Sequence, residues 1–378
     1  MAENPPPRAP SSRPPLIFVL PDDHNSISGG NLYNRHLLEA LERTPAESHA
    51  LNFAQGCGRL ARGWPGIYLV DSLLLEKVPT LVARAASGQP IFLVVHLLPS
   101  LAPGQGSPAA VRREQALLEG LTGFVATSDY TRRYLMLRWH HGRPIFVVPP
   151  ALVVTPSGRK RPTDRFRGAV VGNVVAGKRV LEFLECLDRV LSAEDRFEIE
   201  IVGRLNAEPA YAAACRALVA RRPLLRRGVR FTGAVPPSAM GAIYRRSTAF
   251  ISASEMETYG MALHEARAHG VPILAVEAGN IGAHVSSAAC GTLYPSVPAL
   301  ARGCIELMRD PDRLLRLNRG ALLGRPTDTY SWRAAAASLL EQVERWREEA
   351  NASGRRPWAG SRAAEAPAGR EADPWGAG

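Results

Sequence analysis

The chain has 378 residues, 46% hydrophobic and 21% charged, with a formal net charge of +11. That length allows two domains with separate cores, and the balance is that of a globular protein. The positive surplus raises nucleic acid as a partner, but only 7% of residues are aromatic and the basic clusters are scattered; most of these arginines read as surface without a function, and an anionic substrate or anionic membrane surface is favoured over nucleic acid.

In chain order, residues 1–15 are rich in Pro and Arg and read as a disordered tail. Strand-like runs follow at 16–20, 67–70, 91–95, 123–126 and 145–148, with helix-like stretches at 30–43, 109–119 and 129–138 between them. The first run is too short for a signal peptide's apolar region, and no run approaches a membrane span. Residues 152–166, polar and basic with two prolines, read as a linker. The alternation then restarts, with strands at 168–171, 198–202, 229–232, 248–251 and 272–276 and helices at 178–191, 208–221, 237–246, 259–269, 298–308 and 311–319. Residues 329–332 open a final helix, and 351–378 form a second tail rich in Gly, Ala, Pro and Arg.

Short β-branched runs, apolar on both faces, fit parallel strands covered by helices. The expected fold is α/β, with two Rossmann-like domains facing a central cleft. The expected boundaries are a first domain over 16–153, a linker over 154–166, a second domain over 167–325 and a terminal helix over 326–350. In such sheets ligands bind beyond the carboxyl ends of the strands, so chemistry is sought in the residues that follow them.

The stretch "SEMETYGMALHEARAHGVP" (254–272) follows the strand at 248–251 and places Glu257 and Glu265 eight positions apart. Tyr259, Gly260 and Met261 are expected to form the first turn of the next helix, whose unpaired N–H groups and dipole suit an anion. Gly260 lets a ligand approach without a Cβ in the way. Each carboxylate can accept two hydrogen bonds, which suits vicinal hydroxyls. The spacing alone fits an ordinary helix with capping or solvent-facing glutamates equally well.

Other signals have plainer readings. Residues 172–179, "GNVVAGKR", nearly spell a phosphate-binding P-loop, but Arg179 stands where a magnesium-binding hydroxyl is needed. No GxGxxG follows a strand. Asp310-Pro311-Asp312 reads as a helix start. His140-His141, His264 and His269 lack partners at ligand spacing, so no metal site is expected. The five cysteines form no CxxC pair, which points to neither zinc nor a disulfide framework and to a reducing cytoplasm.

Taken together, Ser254-x-x-Glu257-Thr258-Tyr259-Gly260-Met261-x-x-x-Glu265-Ala266-x-Ala268-x-Gly270-x-Pro272 resembles the signature of retaining GT-B glycosyltransferases, above all family 4. The resemblance implies that Glu257 contacts the transferred sugar, that Glu265 contacts the donor ribose, and that amides around Tyr259 to Met261 hold the diphosphate or sugar. "VVGNVVAGK" (170–178) is similar to the family's strand and loop, with Lys178 at the lysine that neutralises the donor phosphate and Asn173 where an arginine is usual. Arg179 or Arg204 would then supply the missing charge.

"IEIVGRL" (199–205) and "VRFTGAV" (229–235) match strand ends that line the base and phosphate pocket, which brings in Arg204 and Val235. Residues 277–291 resemble a Gly-Gly-x-x-Glu loop, with Ala283 at the glutamate's place. Gly29-Gly30-Asn31 looks like the glycine loop beneath the donor phosphate. His96 matches a histidine that touches the transferred sugar; on its own it reads equally as a buried structural histidine. The final helix, in the family, crosses back to the first domain.

The implied function is retaining, metal-independent glycosyl transfer (hexosyl or related) from a nucleotide diphosphate sugar, with domain closure excluding water. The acceptor is left open between a small metabolite, a lipid carrier and a polysaccharide; acceptor loops are expected at 45–66 and 97–110. The location implied is cytoplasmic, with peripheral association to an anionic membrane as an option. Alternatives are a non-catalytic GT-B module that binds a sugar nucleotide, or a sugar-nucleotide epimerase on the same fold.

Overall fold

A computed structural model describes residues 14–86, 88–101, 107–139, 142–156, 160, 163–285, 287–326 and 330–353. Most of both expected tails lies outside the described residues, as do His140, His141, Arg159, Arg161, Thr329, Arg355 and Arg356. The described residues divide into two compact units: 14–26, 33–149 and 332–353 fall in one, and those within 27–32 and 150–331 in the other.

The first unit has a six-stranded parallel sheet of β1 (Leu16–Leu20), β2 (Ser48–Asn52), β3 (Ile67–Asp71), β4 (Ile91–Val95), β5 (Gly123–Ala126) and β6 (Ile145–Val147). Its order is β2-β1-β3-β4-β5-β6, so the winding reverses between β1 and β3. The helices in sequence are α1 (Gly29–Leu41), α2 (Phe53–Ala61), α3 (Val78–Arg84), α4 (Pro108–Leu118) and α5 (Asp129–Arg138). Every residue of β1, β3, β4 and β5 is buried, which is why they read as unbroken apolar runs.

The stretch 45–66, expected to be a loop, instead contains β2 and α2. Strand β2 (SHALN) lies at the sheet edge with only Leu51 buried, so it carries no apolar run. A capping box starts α2: Gln55 N donates to Asn52 Oδ1 at 2.9 Å and Asn52 N to Gln55 Oε1 at 3.0 Å.

The second unit repeats the plan with β7 (Phe166–Val171), β8 (Phe197–Val202), β9 (Val229–Gly233), β10 (Ala249–Ser252), β11 (Ile273–Val276) and β12 (Gly291–Tyr294). Its helices are α6 (Val180–Val190), α7 (Pro209–Arg221), α8 (Pro223–Gly228), α9 (Pro237–Arg246), α10 (Met261–Ala268), α11 (Val297–Arg309) and α12 (Pro311–Leu323). The order β12-β11-β10-β7-β8-β9, parallel throughout, is that of a dinucleotide-binding sheet, with its switch point between β10 and β7. The sequence reading lacks β12, a four-residue edge strand, and α8, a six-residue helix.

The last helix, α13 (Trp332–Ala352), belongs to the first unit, so the chain does return there. Gln342 completes the open edge of β6: its Nε2 donates to Val147 O at 3.0 Å and its Oε1 accepts from Val147 N at 2.9 Å. Trp346 packs edge-on against Phe92, with ring centroids 5.1 Å apart. Tyr330 and Ser331 precede α13 rather than opening it.

Candidate functional site

The residues singled out in the second unit gather at the carboxyl ends of its strands. Loops after β7, β8 and β9 are tied in series: Gly172 N donates to Val202 O, Val174 N to Arg204 O, and Gly203 N to Gly233 O, at 2.9, 3.0 and 2.9 Å. Asn173 and Arg204 lie on adjoining loops of this ladder, and half-buried Val235 follows β9 and packs on the core.

Two strands flank the switch point, and each supplies one member of an ion pair. Lys178 ends a 3-10 turn after β7, Glu257 lies in the loop after β10, and Lys178 Nζ is 2.5 Å from Glu257 Oε1. The same oxygen accepts from Ser254 Oγ at 2.9 Å. The backbone joins the loops as well, Glu255 N donating to Gly177 O at 2.9 Å. A short cationic arm and a carboxylate are thus held together at the place where open α/β sheets bind ligands. Arg179 is less available: its guanidinium chelates Glu182 at 2.7 and 2.8 Å.

The segment Tyr259–Met261 differs from the expected helical turn. Helix α10 begins at Met261, and Tyr259 and Gly260 lie outside it. Gly260 is the N-cap, in the left-handed region at φ 86°, where a side chain would be strained. Gly260 has no side chain with which to cap this helix end, so the N-cap residue makes no side-chain hydrogen bond to the first-turn N–H groups. Leu263 and Ala266, both buried, anchor α10 in the core, and Leu263→Ala would cost about 2–5 kcal/mol.

The 3-10 turn Gly279–His284 holds the Glu257–Tyr259 loop in place. Asn280 N donates to Glu257 O at 2.7 Å, Asn280 Nδ2 to Tyr259 O at 3.1 Å, and His284 Nε2 to the same carbonyl at 2.5 Å. Gly279, at φ 55°, is packed so tightly on the Glu257 backbone that a Cβ would collide with it. The rings of Tyr259, His264 and His284 meet at 5.5–6.0 Å. Burial pushes His264 down to about 4 and lowers His284, so both are neutral near pH 7. His284 was not singled out in the sequence; His264 was weighed there only as a metal ligand, and Asn280 figured only in the Gly-Asn step after β11.

Glu265 faces inward, 8% exposed. Its Oε2 accepts from Tyr244 Oη at 2.8 Å, and the backbone N–H groups of Val153 and Val154 also serve the carboxylate. Three of roughly four lone-pair sites are therefore used, leaving room for one further hydroxyl rather than a vicinal pair. Burial raises its pKa to about 7 despite these donors. Gly29 and Gly30 open α1, in the segment 27–32 that clusters with this unit; a Cβ on Gly29 would lie 3.9 Å from Met261 Sδ.

His96 follows β4 in the first unit. Its Nε2 is 3.2 Å from Asn34 Oδ1 and 3.5 Å from Asp71 Oδ2, and its ring meets Tyr33 edge-on at 5.2 Å. Asp71, fully buried at the end of β3, accepts from Asn34 Nδ2 at 2.6 Å and Leu73 N at 2.7 Å. An amide relay thus connects the buried acid to the imidazole. Burial lowers the pKa of His96 while Asp71 raises it, the first effect being larger. Asp71 and Asn34 were not singled out in the sequence, although the acid ending an apolar strand was visible.

Among the described residues no group of three or more His, Cys, Asp or Glu is placed to hold a metal, and no helix is long and apolar enough to cross a membrane. The five cysteines are buried free thiols.

Two six-stranded parallel sheets, each wound about a switch point, define the GT-B class, and solved structures agree. Sucrose-phosphate synthase from Thermosynechococcus elongatus superposes with a TM-score of 0.70 at 18% identity, over 89% of this chain and 100% of that one. Anabaena Alr3699/HepE, solved with UDP and glucose, gives 0.68 at 13% identity, over 88% and 100%. Residues 165–310 match the family model "Glycosyl transferases group 1".

Among curated relatives, the D-inositol 3-phosphate glycosyltransferase of Corynebacterium glutamicum (strain R) is 31% identical over 113 residues, 29% of this chain and 27% of that protein. The protein of the same name from Rhodococcus erythropolis is 28% identical over 341 residues, 81% of this chain and 75% of that one. The chain thus spans about a quarter of the first relative's length and three quarters of the second's. The fold is thus the GT-B fold, and the stretch that matches the group 1 glycosyl transferase model lies in its second unit.

Proposed function

We propose that the chain moves a sugar from a nucleotide diphosphate sugar to an acceptor, with retention at the anomeric carbon and without a metal. The observation that carries this is the Lys178–Glu257 pair at the switch point, in the same loop system as the uncapped start of α10. The Alr3699/HepE structures contain UDP-glucose, or UDP and glucose, which supports a donor of that class.

The chemical difficulty is leaving-group departure. As the C1–O bond breaks, its electron pair goes to the diphosphate. Lys178 and the amides at Gly260 and Met261 would carry that charge, a task a divalent cation performs in other sites; preorganised donors of this kind are worth roughly 3–4 kcal/mol each. Glu257 would orient the sugar and offset the positive charge growing at C1. Asn173, Arg204 and Val235 would line the nucleotide end, Gly29 and Gly30 would add amides to the diphosphate, and Glu265 would accept one ribose hydroxyl. His96, held by Asn34 and Asp71, would bind a distal sugar hydroxyl.

Retention follows if the acceptor oxygen attacks from the face the diphosphate leaves, giving its proton to the departing phosphate oxygen. No dedicated carboxylate base is then needed. The relatives' name makes an inositol phosphate the first acceptor to assay, ahead of lipid carriers and polysaccharides. A reducing cytoplasm suits the buried free thiols.

The test is calorimetry and transfer assays with UDP-, GDP- and ADP-linked sugars, reading product anomeric configuration by NMR. Binding with transfer and retained configuration is expected; no binding of any of them would overturn the assignment. Asn173 at an arginine position favours a second reading, a module that binds the donor without transfer. Binding with neither transfer nor hydrolysis would select it.

A further inference from the structure

One carbonyl in the site is held more firmly than its neighbours. The Tyr259 oxygen accepts from Asn280 Nδ2 at 3.1 Å and His284 Nε2 at 2.5 Å, so both its lone pairs are taken. A carbonyl can only accept, so His284 is the tautomer with its proton on Nε2. In a planar trans peptide the carbonyl and the following N–H point in opposite directions. Fixing the Tyr259 oxygen toward the Gly279–His284 turn therefore fixes the Gly260 N–H away from it.

Gly260 makes this clamp necessary. Its left-handed conformation forms the turn into α10, but a glycine crosses between backbone regions at little cost and cannot hold that turn by itself. The turn is also pinned from below, by Asn280 N on Glu257 O and by Gly279 against the Glu257 backbone.

We propose that Asn280 and His284 are positioning residues: by holding the Tyr259 carbonyl they aim the Gly260 N–H, and with it the first-turn amides of α10, at the donor diphosphate. Each acts through a backbone peptide and touches no reacting atom. Ala283 brings no charge to the turn, and His284 beside it supplies a neutral donor. The inference rests on the donor-site reading above.

The experiment titrates UDP, GDP and ADP in turn into wild-type protein and the variants His284→Ala, His284→Phe, His284→Gln and Asn280→Ala, with thermal melts for each. Phenylalanine keeps the ring packed against Tyr259 and His264 but cannot donate; glutamine donates without the ring. For the nucleotide that wild type binds best, Kd should rise about tenfold or more in His284→Ala, His284→Phe and Asn280→Ala, as befits amides lost to a charged ligand. His284→Gln should recover most of the affinity. Phe as good as wild type, with Gln no better than Ala, would assign His284 to packing and overturn the proposal. An Asn280→Ala variant that melts normally and binds normally would overturn it too. Wild type binding none of the three nucleotides would instead bring down the donor-site reading itself.

Discussion

Lys178 and Glu257, 79 positions apart in the chain, meet at 2.5 Å across the point where the second sheet reverses its winding. Neither side chain is deeply buried, at 28% and 17% exposed, so the pair adds little to stability by itself. On the function proposed above its value is placement: Lys178 would serve the diphosphate and Glu257 the sugar, side by side.

The two members should therefore separate in function. Lys178→Ala should weaken binding of the nucleoside diphosphate and reduce turnover by about 10²–10³-fold. Glu257→Gln should bind the same nucleotide as well as wild type or better, since a negative charge is gone, while transfer falls by a similar factor. Calorimetry beside initial-rate kinetics checks this; equal loss of nucleotide affinity in both variants would contradict it.

Glu265 should give the protein a pH signature. Its pKa is raised from 4.5 to about 7 in the fold, so the native state holds a proton that the unfolded chain releases. Its contribution is most favourable below about 4.5 and is lost as pH rises to about 7. Melting Glu265→Gln and wild type in parallel should show the variant gaining relative stability across that interval. A constant difference would mean that the carboxylate is charged throughout.

His264 has the opposite sign. With its folded pKa lowered from 6.5 to about 4, the unfolded chain takes up the proton first, and stability falls as pH drops through that window. His264→Gln should flatten this acid limb in the same melts. If the limb is unchanged, other groups carry it.

In the first unit, Asp71→Ala strips the acceptor from two groups, Asn34 Nδ2 and the Leu73 N–H. Each stranded donor should cost about 1–3 kcal/mol in urea denaturation. Because His96 loses its support, turnover should fall while nucleotide affinity stays close to wild type. Reduced nucleotide affinity would place His96 elsewhere in the reaction.

Metal-free catalysis predicts that transfer survives exhaustive EDTA treatment at full rate and that added magnesium does not raise it. A rate restored only by a divalent cation would shift the charge-neutralising role away from Lys178.

The two-fold α/β plan was legible in the sequence because β1, β3, β4, β5, β10 and β11 are buried on both faces and apolar apart from the closing Asp71 and Ser252. The edge strands β2 and β12 escaped it for the converse reason: β2, for one, buries a single residue and leaves no periodic trace. Motif spacing also placed Lys178 and Glu257 at strand ends, where the fold brings them together. Which group satisfies which emerged from the folded chain alone. That Glu265 spends most of its lone pairs on Tyr244 and the backbone of Val153 and Val154, that Asn34 links Asp71 to His96, and that Asn280 and His284 converge on one carbonyl are pairings between distant segments. Hydrogen bonds of that kind depend on distance and direction in space, and neither residue type nor local period encodes them.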